Sequence, residues 1–364
     1  MKPILHKEKI QSRLLGWFEK NGRDLPWRKT RDPYAIWVSE IMLQQTQVPT
    51  VIPYYKKFLK TFPTFRHLAQ SNLSKVLKVW EGLGYYSRAR NLHLTSRIVL
   101  SHFRGRIPDN LQDLLTLPGI GKYTAGAILS IAYNKEAPIL DGNVKRVLSR
   151  LFMISGDPRE KKTENHLWRL SESLIPKGFA SPFNQALMDL GSMVCTPKDP
   201  QCSRCPLHRL CKGKASGKPE EYPSRVIKKK IPHIEAISAV IIKDGKVLLN
   251  QRPPKGLFGG LWEFPNWKSE GKRGLRFRLR NYIKKEMGIN VEVKESIGTF
   301  KQAFTHFKLT LHVFTCEAID GKGRGKWIPI KNLDQLAMPR IHRRIAEVIE
   351  GEIGRSRDRE KKKI

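Results

Sequence analysis

Four of the five cysteines of this 364-residue chain fall within one short segment. Their spacing is Cys195-x6-Cys202-x2-Cys205-x5-Cys211. Four thiolates so close in the chain suit either a zinc ion or a 4Fe–4S cluster. Zinc sites usually pair two short Cys-x2-Cys knuckles, whereas here a single knuckle is flanked by lone cysteines. The spacing therefore favours the cluster and keeps zinc as the alternative, and the isolated Cys316 is expected to be an inert core thiol.

Glu40 lies midway along a predicted helix that begins with an N-cap at Asp32, has Pro33 at its first position and runs to about Gln47. The residues three and four positions away are mostly apolar, namely Ile36, Trp37, Leu43 and Gln44. Most helical glutamates are exposed, but this company indicates that the carboxyl faces the interior. Burial would raise its pKa.

Asp141 is the second carboxylate of interest. It follows an apolar pair and precedes a helix whose apolar positions are Val144, Val147, Leu148 and Leu151. This placement is typical of an N-cap, and the helix dipole that favours an acidic cap also keeps the carboxylate ionised. Asp141 can therefore be a cap alone or a cap that also reacts.

The run LQDLLTLPGIGKYTAGAI predicts two helices joined by a tight turn. Gly119 and Gly121 allow a backbone whose successive N–H groups face outward at the start of the second helix, near Lys122. Such a helix-hairpin-helix binds phosphate without reading sequence. The turn could be an ordinary connector, but the formal net charge of +35 favours phosphate binding.

Composition points to the same partner. Lys and Arg number 68 against 33 Asp and Glu, so we expect a polyanion, first of all nucleic acid. No stretch approaches the ~18 consecutive apolar residues of a membrane span, and the first residues lack the pattern of a signal peptide. We expect a soluble protein of the prokaryotic cytoplasm, close to the nucleoid, that binds no membrane.

Periodicity separates two kinds of domain. From about residue 5 to 190 apolar residues recur at helical spacing, whereas β-rich runs around an Asp244-Gly245 hairpin signal mark the later part. The predicted organisation is an all-α domain at 1–215 that includes the cysteine loop 195–211, a connector at 216–232, an α+β domain at 233–353 and a disordered basic tail at 354–364.

Long motifs accompany these elements. They are PWR at 26–28, SEIMLQQTQV at 39–48, EGLGYYSRARNL at 81–92, LPGIGKYTAGAI and LDGNVKRV. With the cysteine loop they resemble the endonuclease III superfamily and, within it, the MutY family of adenine DNA glycosylases. The resemblance implies a monomeric base excision repair enzyme with a 4Fe–4S cluster. It would release adenine mispaired with 8-oxoguanine or guanine in double-stranded DNA and leave an abasic site.

The resemblance also implies roles for the two carboxyl groups. Glu40 would protonate N7 of adenine, and Asp141 would stabilise the oxocarbenium-like sugar, much as in a retaining glycosidase. One neutral acid beside one ionised carboxylate is the arrangement that such a site needs.

Further residues surround these two by resemblance. Tyr123 and Asn143 would hold both the sugar and Asp141. Arg23 and Arg28 would line the adenine pocket. Gln44 and Tyr85 would enter the duplex beside the orphaned purine. The predicted DNA contacts are Gln44, Tyr85, Gly119, Gly121, Lys122 and Lys145.

Tyr123 separates base removal from strand cutting. The lyase members of the superfamily carry at this position a lysine that forms a Schiff base with the sugar. Tyr123 cannot do so, which predicts base removal without efficient strand cleavage. Lys145 could trap the opened sugar, so weak lyase activity would be compatible with this interpretation.

The segment LWEFPNWKSEGKRGLRFRLRNYIKKEMGI resembles the Nudix pyrophosphohydrolases of the MutT type. Where that family needs four metal-binding glutamates, this chain has Arg273, Tyr282, Lys285 and Glu286. The resemblance therefore implies that the fold is kept and the hydrolysis lost. In the MutY family this domain recognises 8-oxoguanine through a Phe-Ser-His turn, which corresponds here to Phe304, Thr305 and His306.

Three alternatives remain open. An endonuclease III-like lyase acting on oxidised pyrimidines is opposed by Tyr123 and by the second domain. A non-catalytic protein that binds damaged DNA is opposed by the presence of Glu40 and Asp141 in matching motifs. A nucleotide pyrophosphohydrolase tethered to DNA is opposed by the lost glutamates.

Overall fold

The computed structural model describes residues 4–224, 231–269, 271 and 273–361. Contacts between residues divide the chain into two compact units. The first consists of Met1–Gln70 with Asn91–Lys228, and the second of Ser71–Arg90 with Lys229–Ile364. Residues 71–90 thus pack with the second unit, although they lie within the range 1–215. The domain boundaries drawn from the sequence pattern stay a prediction.

The described part of residues 4–224 is helical, as predicted. Its helices are α1 (Lys7–Asn21), α2 (Pro33–Leu43), α3 (Val48–Thr61), α4 (Phe65–Gln70), α5 (Leu73–Val79), α6 (Ser87–His102), α7 (Leu111–Thr116), α8 (Lys122–Ile131), α9 (Gly142–Phe152), α10 (Lys161–Leu174), α11 (Ala180–Met193) and α12 (Lys212–Ala215). Short 3-10 turns occupy Pro26–Arg28, Cys202–Arg204 and Pro219–Glu221. One large core of the first unit gathers apolar faces of α1 and α8 to α11.

Helix α2 begins as predicted and ends early. The side chain of Asp32 accepts hydrogen bonds from the backbone N–H groups of Tyr34 and Ala35 at 3.1 and 3.3 Å. The helix stops at Leu43 rather than near Gln47. Gln45 has a φ of 57°, a left-handed conformation that an α-helix cannot continue through.

The predicted helix-hairpin-helix is present as α7, the turn and α8. Gly119 has a φ of 82°, and a Cβ there would lie 2.9 Å from atoms of the Asn91 side chain. Gly121 instead has a φ of −95°, and nothing lies within 4 Å of a Cβ built on it. The turn therefore requires glycine at Gly119, whereas Gly121 has a backbone conformation that other residues also adopt.

The second unit contains a mixed sheet, as the α+β prediction requires. Its strands are β1 (His233–Lys243), β2 (Lys246–Gln251), β3 (Trp262–Glu263), β4 (Asn266–Lys268), β5 (Asn290–Ala303), β6 (Lys308–Asp320) and β7 (Lys326–Pro329). The main order is β3-β2-β1-β6-β5, in which β1 and β6 are parallel; β4 also pairs with β1, and β7 with β2. Asp244 and Gly245 have φ values of 47° and 68°, which confirms a tight hairpin between β1 and β2.

Two helices cover the two faces of this sheet. Helix α13 (Leu275–Tyr282) and the following π turn (Ile283–Met287) pack on one face together with the buried Cys316, and α14 (Arg340–Lys361) packs on the other. A 3-10 turn at Ile330–Gln335 precedes α14.

The C-terminal helix is longer than expected. The sequence predicts a disordered tail at 354–364, but α14 continues to Lys361, and 362–364 lie outside the described residues. Arg, Glu and Lys dominate this stretch and are good helix formers. None of the helices in the described ranges has the length and apolar character of a membrane span.

Candidate active site

Glu40 faces the interior of the first unit, as predicted. Its side chain leaves α2 and the residue is only 3% exposed. Burial raises the pKa of Glu40 to about 7; the hydrogen bond from Tyr123 lowers this pKa, the charge of Asp141 raises it and that of Arg28 lowers it. The group can therefore hold a proton near neutral pH and release it to a base beside it.

Asp141 caps α9 and belongs to the same electrostatic site as Glu40. One carboxylate oxygen accepts a hydrogen bond from the backbone N–H of Val144 at 2.7 Å, and the other accepts one from Asn143 Nδ2 at 3.0 Å. Burial raises the pKa of Asp141 above its ordinary value, and these hydrogen bonds and the charge of Arg146 oppose the rise. The cap hydrogen bonds thus favour the ionised carboxylate, as expected, but burial raises the pKa of Asp141 by more than they lower it.

Tyr123 stands at the start of α8 and connects to Glu40 rather than to Asp141. Its hydroxyl donates a hydrogen bond to Glu40 Oε2 at 3.0 Å and lies 3.4 Å from Met188 Sδ. Burial raises the pKa of Tyr123 well above its usual value, so the phenol stays protonated. The amine of Lys145 lies 2.6 Å from Glu164 Oε1, in an ion pair.

A small cavity of about 40 Å³ borders Glu40. Its walls combine two arginines with apolar side chains and include Arg23, Trp27, Arg28, Leu43 and Met188. The predicted adenine-pocket residues Arg23 and Arg28 thus meet the predicted acid at one cavity. This volume is far below the roughly 300 Å³ at which ligand pockets usually begin, so a purine would require the walls to move apart.

Both arginines are held by Asp189, a residue that the sequence analysis missed. The Asp189 side chain is fully buried on α11. Arg28 Nη1 and Nη2 donate to its two oxygens at 2.7 and 3.0 Å, and Arg23 donates through Nε at 2.7 Å and through its backbone N–H at 3.0 Å. Burial raises the pKa of Asp189, but the arginines outweigh burial and lower it overall. An acid within the apolar run ALMDLG was the available sequence signal.

The four loop cysteines have the chemistry that a cluster requires. All four are free and partly buried. Burial raises the pKa of Cys205 to about 12, and the charges of the other three cysteines contribute to this rise. The four thiols therefore lie close enough to affect one another. Arg150 brings a guanidinium nitrogen to 3.4 Å from Cys195 Sγ. Four thiols beside a cation fit an anionic iron–sulfur cluster.

Within the described ranges, no group of three or more Cys, His, Asp or Glu side chains is arranged to hold a single metal ion. In a 4Fe–4S cube each thiolate binds a different iron, so its sulfurs do not need to converge on one point.

The second unit brings two predicted DNA-reading regions together. Tyr85 Oη lies 2.6 Å from Thr305 Oγ1, and the Arg88 guanidinium lies over the Tyr85 ring at 5.3 Å from its centre. The ring of Phe304 packs between those of Phe258 and Phe307, with centroid distances of 5.5 and 4.6 Å. Thr305 and His306 are exposed. Two motifs 220 residues apart therefore form one exposed surface.

Two other residues predicted to contact DNA, Gln44 and Lys122, contact side chains of the first unit. Gln44 Nε2 donates to Thr124 Oγ1 at 3.1 Å, and Lys122 Nζ lies 4.3 Å from the centre of the Trp168 ring. Tyr282, at a position where a Nudix enzyme would need a glutamate, stacks on Trp267 with 5.8 Å between ring centroids. An aromatic pair thus occupies a position at which the resemblance implies a lost metal ligand.

Family models match both parts of the chain. Residues 38–173 match the HhH-GPD superfamily base excision DNA repair proteins, and residues 237–348 match the NUDIX domain.

Curated proteins match over most of the length. A protein of Buchnera aphidicola (subsp. Acyrthosiphon pisum) named adenine DNA glycosylase is 37% identical over 341 residues, which cover 92% of this chain and 95% of that protein. The adenine DNA glycosylase of Homo sapiens is 33% identical over 404 residues, which cover 93% of this chain and 73% of that protein.

Solved structures match the helical part. A thermostable thymine-DNA glycosylase superposes with a TM-score of 0.54 at 34% identity, over 58% of this chain and 97% of that chain. Endonuclease III in a non-covalent DNA complex superposes with a TM-score of 0.50 at 22% identity, over 59% of this chain and 99% of that chain, which shows a shared fold.

Proposed function

Because the chain belongs to the adenine DNA glycosylases of the HhH-GPD superfamily, we propose that it acts on adenine mispaired with 8-oxoguanine or guanine in double-stranded DNA. It hydrolyses the N-glycosidic bond and leaves an abasic site. The observation that carries the chemistry is the buried Glu40, which accepts a hydrogen bond from Tyr123 and whose pKa is raised to about 7 by burial, with a further contribution from the charge of Asp141. Its place of action would be the prokaryotic cytoplasm, on DNA of the nucleoid, as a monomer.

Proton transfer starts the reaction. Protonated Glu40 donates to N7 of the extruded adenine, which makes the base a better leaving group. As the bond to the base breaks, the Asp141 carboxylate stabilises the positive charge on the sugar and can form an adduct that water opens. The hydrogen bonds from Val144 and Asn143 keep the Asp141 carboxylate oriented.

The adenine pocket is formed by Arg23 and Arg28. Since the single carboxylate of Asp189 binds both guanidinium groups, it compensates one of their two positive charges before any substrate enters. The half-compensated pair can present N–H donors to the base and lowers the pKa of Glu40 less than two cations without a counter-charge would.

DNA is bound and opened by residues of both units. Gly119, Gly121, Lys122 and Lys145 contact the backbone, and Gln44 and Tyr85 fill the gap that the extruded adenine leaves. Phe304, Thr305 and His306 recognise the opposite 8-oxoguanine. The hydrogen bond between Tyr85 and Thr305 supports this part of the proposal, because it joins the residue that enters the duplex to the residue that reads the lesion.

Cys195, Cys202, Cys205 and Cys211 would hold a 4Fe–4S cluster in the first unit. Bonds from the four thiolates to one cluster would tie together the loop after α11. Purified protein should contain about four iron atoms and four acid-labile sulfides per chain, and Cys202→Ser should lower both. A content of one zinc ion per chain and no sulfide would reject the cluster and support the zinc alternative.

Single-turnover release of base from end-labelled duplexes tests the proposed substrate. The panel contains adenine opposite 8-oxoguanine, adenine opposite guanine, thymine opposite guanine and thymine glycol opposite adenine, all developed with hot alkali to break abasic sites. We expect both adenine duplexes to react, and the 8-oxoguanine duplex to react faster. Preferential reaction at thymine or thymine glycol would reject the proposed substrate.

The reader residues are tested on the same panel. His306→Ala should lower the preference for 8-oxoguanine over guanine opposite the adenine while adenine release continues. Equal preference in variant and parent would remove His306 from lesion recognition.

A further inference from the structure

Helix α13 and the residues beside it carry a row of exposed cations that the catalytic site does not use. Arg273, Arg276, Arg280 and Lys284 follow one another at intervals of three and four residues, so they lie along one side of the helix and its flanking turns. All four are exposed. Phe277 lies within the same row and is 72% exposed. We call these five residues the α13 basic row.

The row cannot turn inward. Leu279, Ile283 and Met287, on the other side of the same segment, are buried against the sheet and fix the orientation of the helix. Between Leu275 and Met287 there are five Arg or Lys residues and one acid, Glu286. None of the ion pairs formed among the described residues uses a cation of the row, so its charge is available to a partner.

We propose that the α13 basic row is a second DNA contact, which binds the phosphate backbone of duplex DNA without reading its sequence. From Arg276 to Lys284 the helical rise covers about 12 Å, and one strand of duplex DNA places a phosphate about every 3.4 Å along its axis. Three cations can therefore face three phosphates of one strand. The inference rests on DNA as the substrate and not on the identity of the mispair.

Charge and shape favour DNA over a membrane surface. A helix that lies in a membrane interface buries a broad apolar face below its cationic side. The exposed side of α13 offers one large apolar residue, Phe277, because the other apolar residues of the segment face the sheet. An exposed phenyl ring between cations can instead contact deoxyribose between two phosphates.

Affinity for undamaged duplex, measured by fluorescence anisotropy with the full chain over a range of salt, tests the row. In the triple variant Arg276→Gln, Arg280→Gln, Lys284→Gln, the slope of log affinity against log salt should become less steep by about 2.7, since each phosphate contact contributes about 0.9. Between about 50 and 200 mM salt, the variant should lose about 40-fold less affinity than the parent.

A matched variant controls for net charge. Lys243→Gln, Lys246→Gln, Lys331→Gln removes three exposed cations around the β1–β2 hairpin of the same unit, and its slope should change by less than about 0.5. Equal effects of the two triple variants would overturn the proposal, because general attraction would then explain binding. If the α13 variant lost binding to anionic phosphatidylserine vesicles and kept duplex binding, a membrane contact would replace the DNA contact.

Two further measurements accompany the salt series: one checks that the variants fold, and the other tests the contribution of Phe277. Urea unfolding of both triple variants, measured without DNA, should match that of the parent, which shows that they fold. Phe277→Ala should weaken duplex binding without changing the salt slope, since an apolar contact releases no counterions. An unchanged affinity in Phe277→Ala would remove the ring from the row.

Discussion

At the scale of single residues, the chemistry depends on the protonation of one buried carboxyl group. Glu40 has a pKa of about 7 because it is buried, and the raised value lies in the range where an acid is useful in neutral solution. Its position and inward orientation could be predicted from sequence, because the helical period and apolar neighbours are local information.

The pH dependence of base release tests this carboxyl group. Glu40 is protonated below pH about 7 and ionised above it, and the proton donor is the protonated form. The single-turnover rate should therefore fall about tenfold per pH unit on the basic side. Glu40→Gln should lower the rate by about 10²- to 10⁴-fold and remove this fall. If the basic fall persisted in Glu40→Gln, another group would be the acid.

Asp189 could not be predicted to act with Arg23 and Arg28, because its partners are more than 160 residues away in sequence. The sequence marks a buried acid on α11 but not what it binds. Only the packing of α11 beside the segment that carries the two arginines reveals the pair.

Asp189→Asn should shift the pH profile to lower pH. Tyr123 and Asp141 face Glu40 as before, but Arg28, whose charge lowers the pKa of Glu40, loses its counter-charge and favours the ionised form more strongly. The measurement is the midpoint of the basic fall in single-turnover rate. Loss of the buried partner should also destabilise the protein by about 3 to 5 kcal/mol, measured by urea unfolding.

The matched control is Asp24→Asn. Asp24 is exposed and pairs with Lys29 at 2.8 Å, so its replacement should leave both midpoint and stability nearly unchanged. An unshifted midpoint in Asp189→Asn would show that Asp189 supports the fold without setting the charge near Glu40.

At the scale of elements, caps and turns were predictable where residue type determines backbone conformation. Asp32, Asp141 and the Asp244-Gly245 hairpin all follow such local rules. The early end of α2 could not be predicted in this way, because glutamine gives no signal for the left-handed φ of Gln45. The difference between Gly119 and Gly121 in φ and in surrounding space is likewise visible only in the folded turn.

The hairpin offers a matched pair of glycine variants. Gly119→Ala should cost about 1 to 3 kcal/mol, because its φ is 82° and its Cβ would meet Asn91. Distortion of the turn should also weaken binding to undamaged duplex. Gly121→Ala should change stability by less than about 0.5 kcal/mol, since its φ is ordinary and the space is open. Equal costs in urea unfolding would contradict this assignment of the turn.

At the scale of the whole molecule, the grouping of residues 71–90 with the C-terminal unit was beyond sequence reasoning. Glu81 is the centre of these contacts: one oxygen accepts hydrogen bonds from the Met338 N–H and Arg343 Nε, both at 3.0 Å, and the other pairs with Lys78. The segment that carries Tyr85 is thereby held beside Thr305.

Glu81→Gln should loosen this segment and lower the preference for 8-oxoguanine over guanine opposite adenine. The physical reason is that glutamine keeps only one acceptor oxygen and no charge, whereas the hydrogen bonds from Arg343 and Lys78 to a charged acceptor are each worth about 1.5 to 3 kcal/mol. The measurement is the ratio of single-turnover rates on the two mispairs. Glu292→Gln, an exposed acid of the same unit paired with Lys294, is the control, and the same ratio in both variants would contradict the role of Glu81.

As a whole, the proposed enzyme removes a base and leaves the strand uncut, since the resemblance places Tyr123 at the position of the lyase lysine. The most direct test is a single-turnover reaction on an end-labelled duplex with adenine opposite 8-oxoguanine, divided into samples with and without hot alkali. The parent should break the strand mainly after alkali, and Tyr123→Lys should add some breakage without it. Breakage by the parent without alkali, at the rate of base release, would contradict the account and favour a lyase.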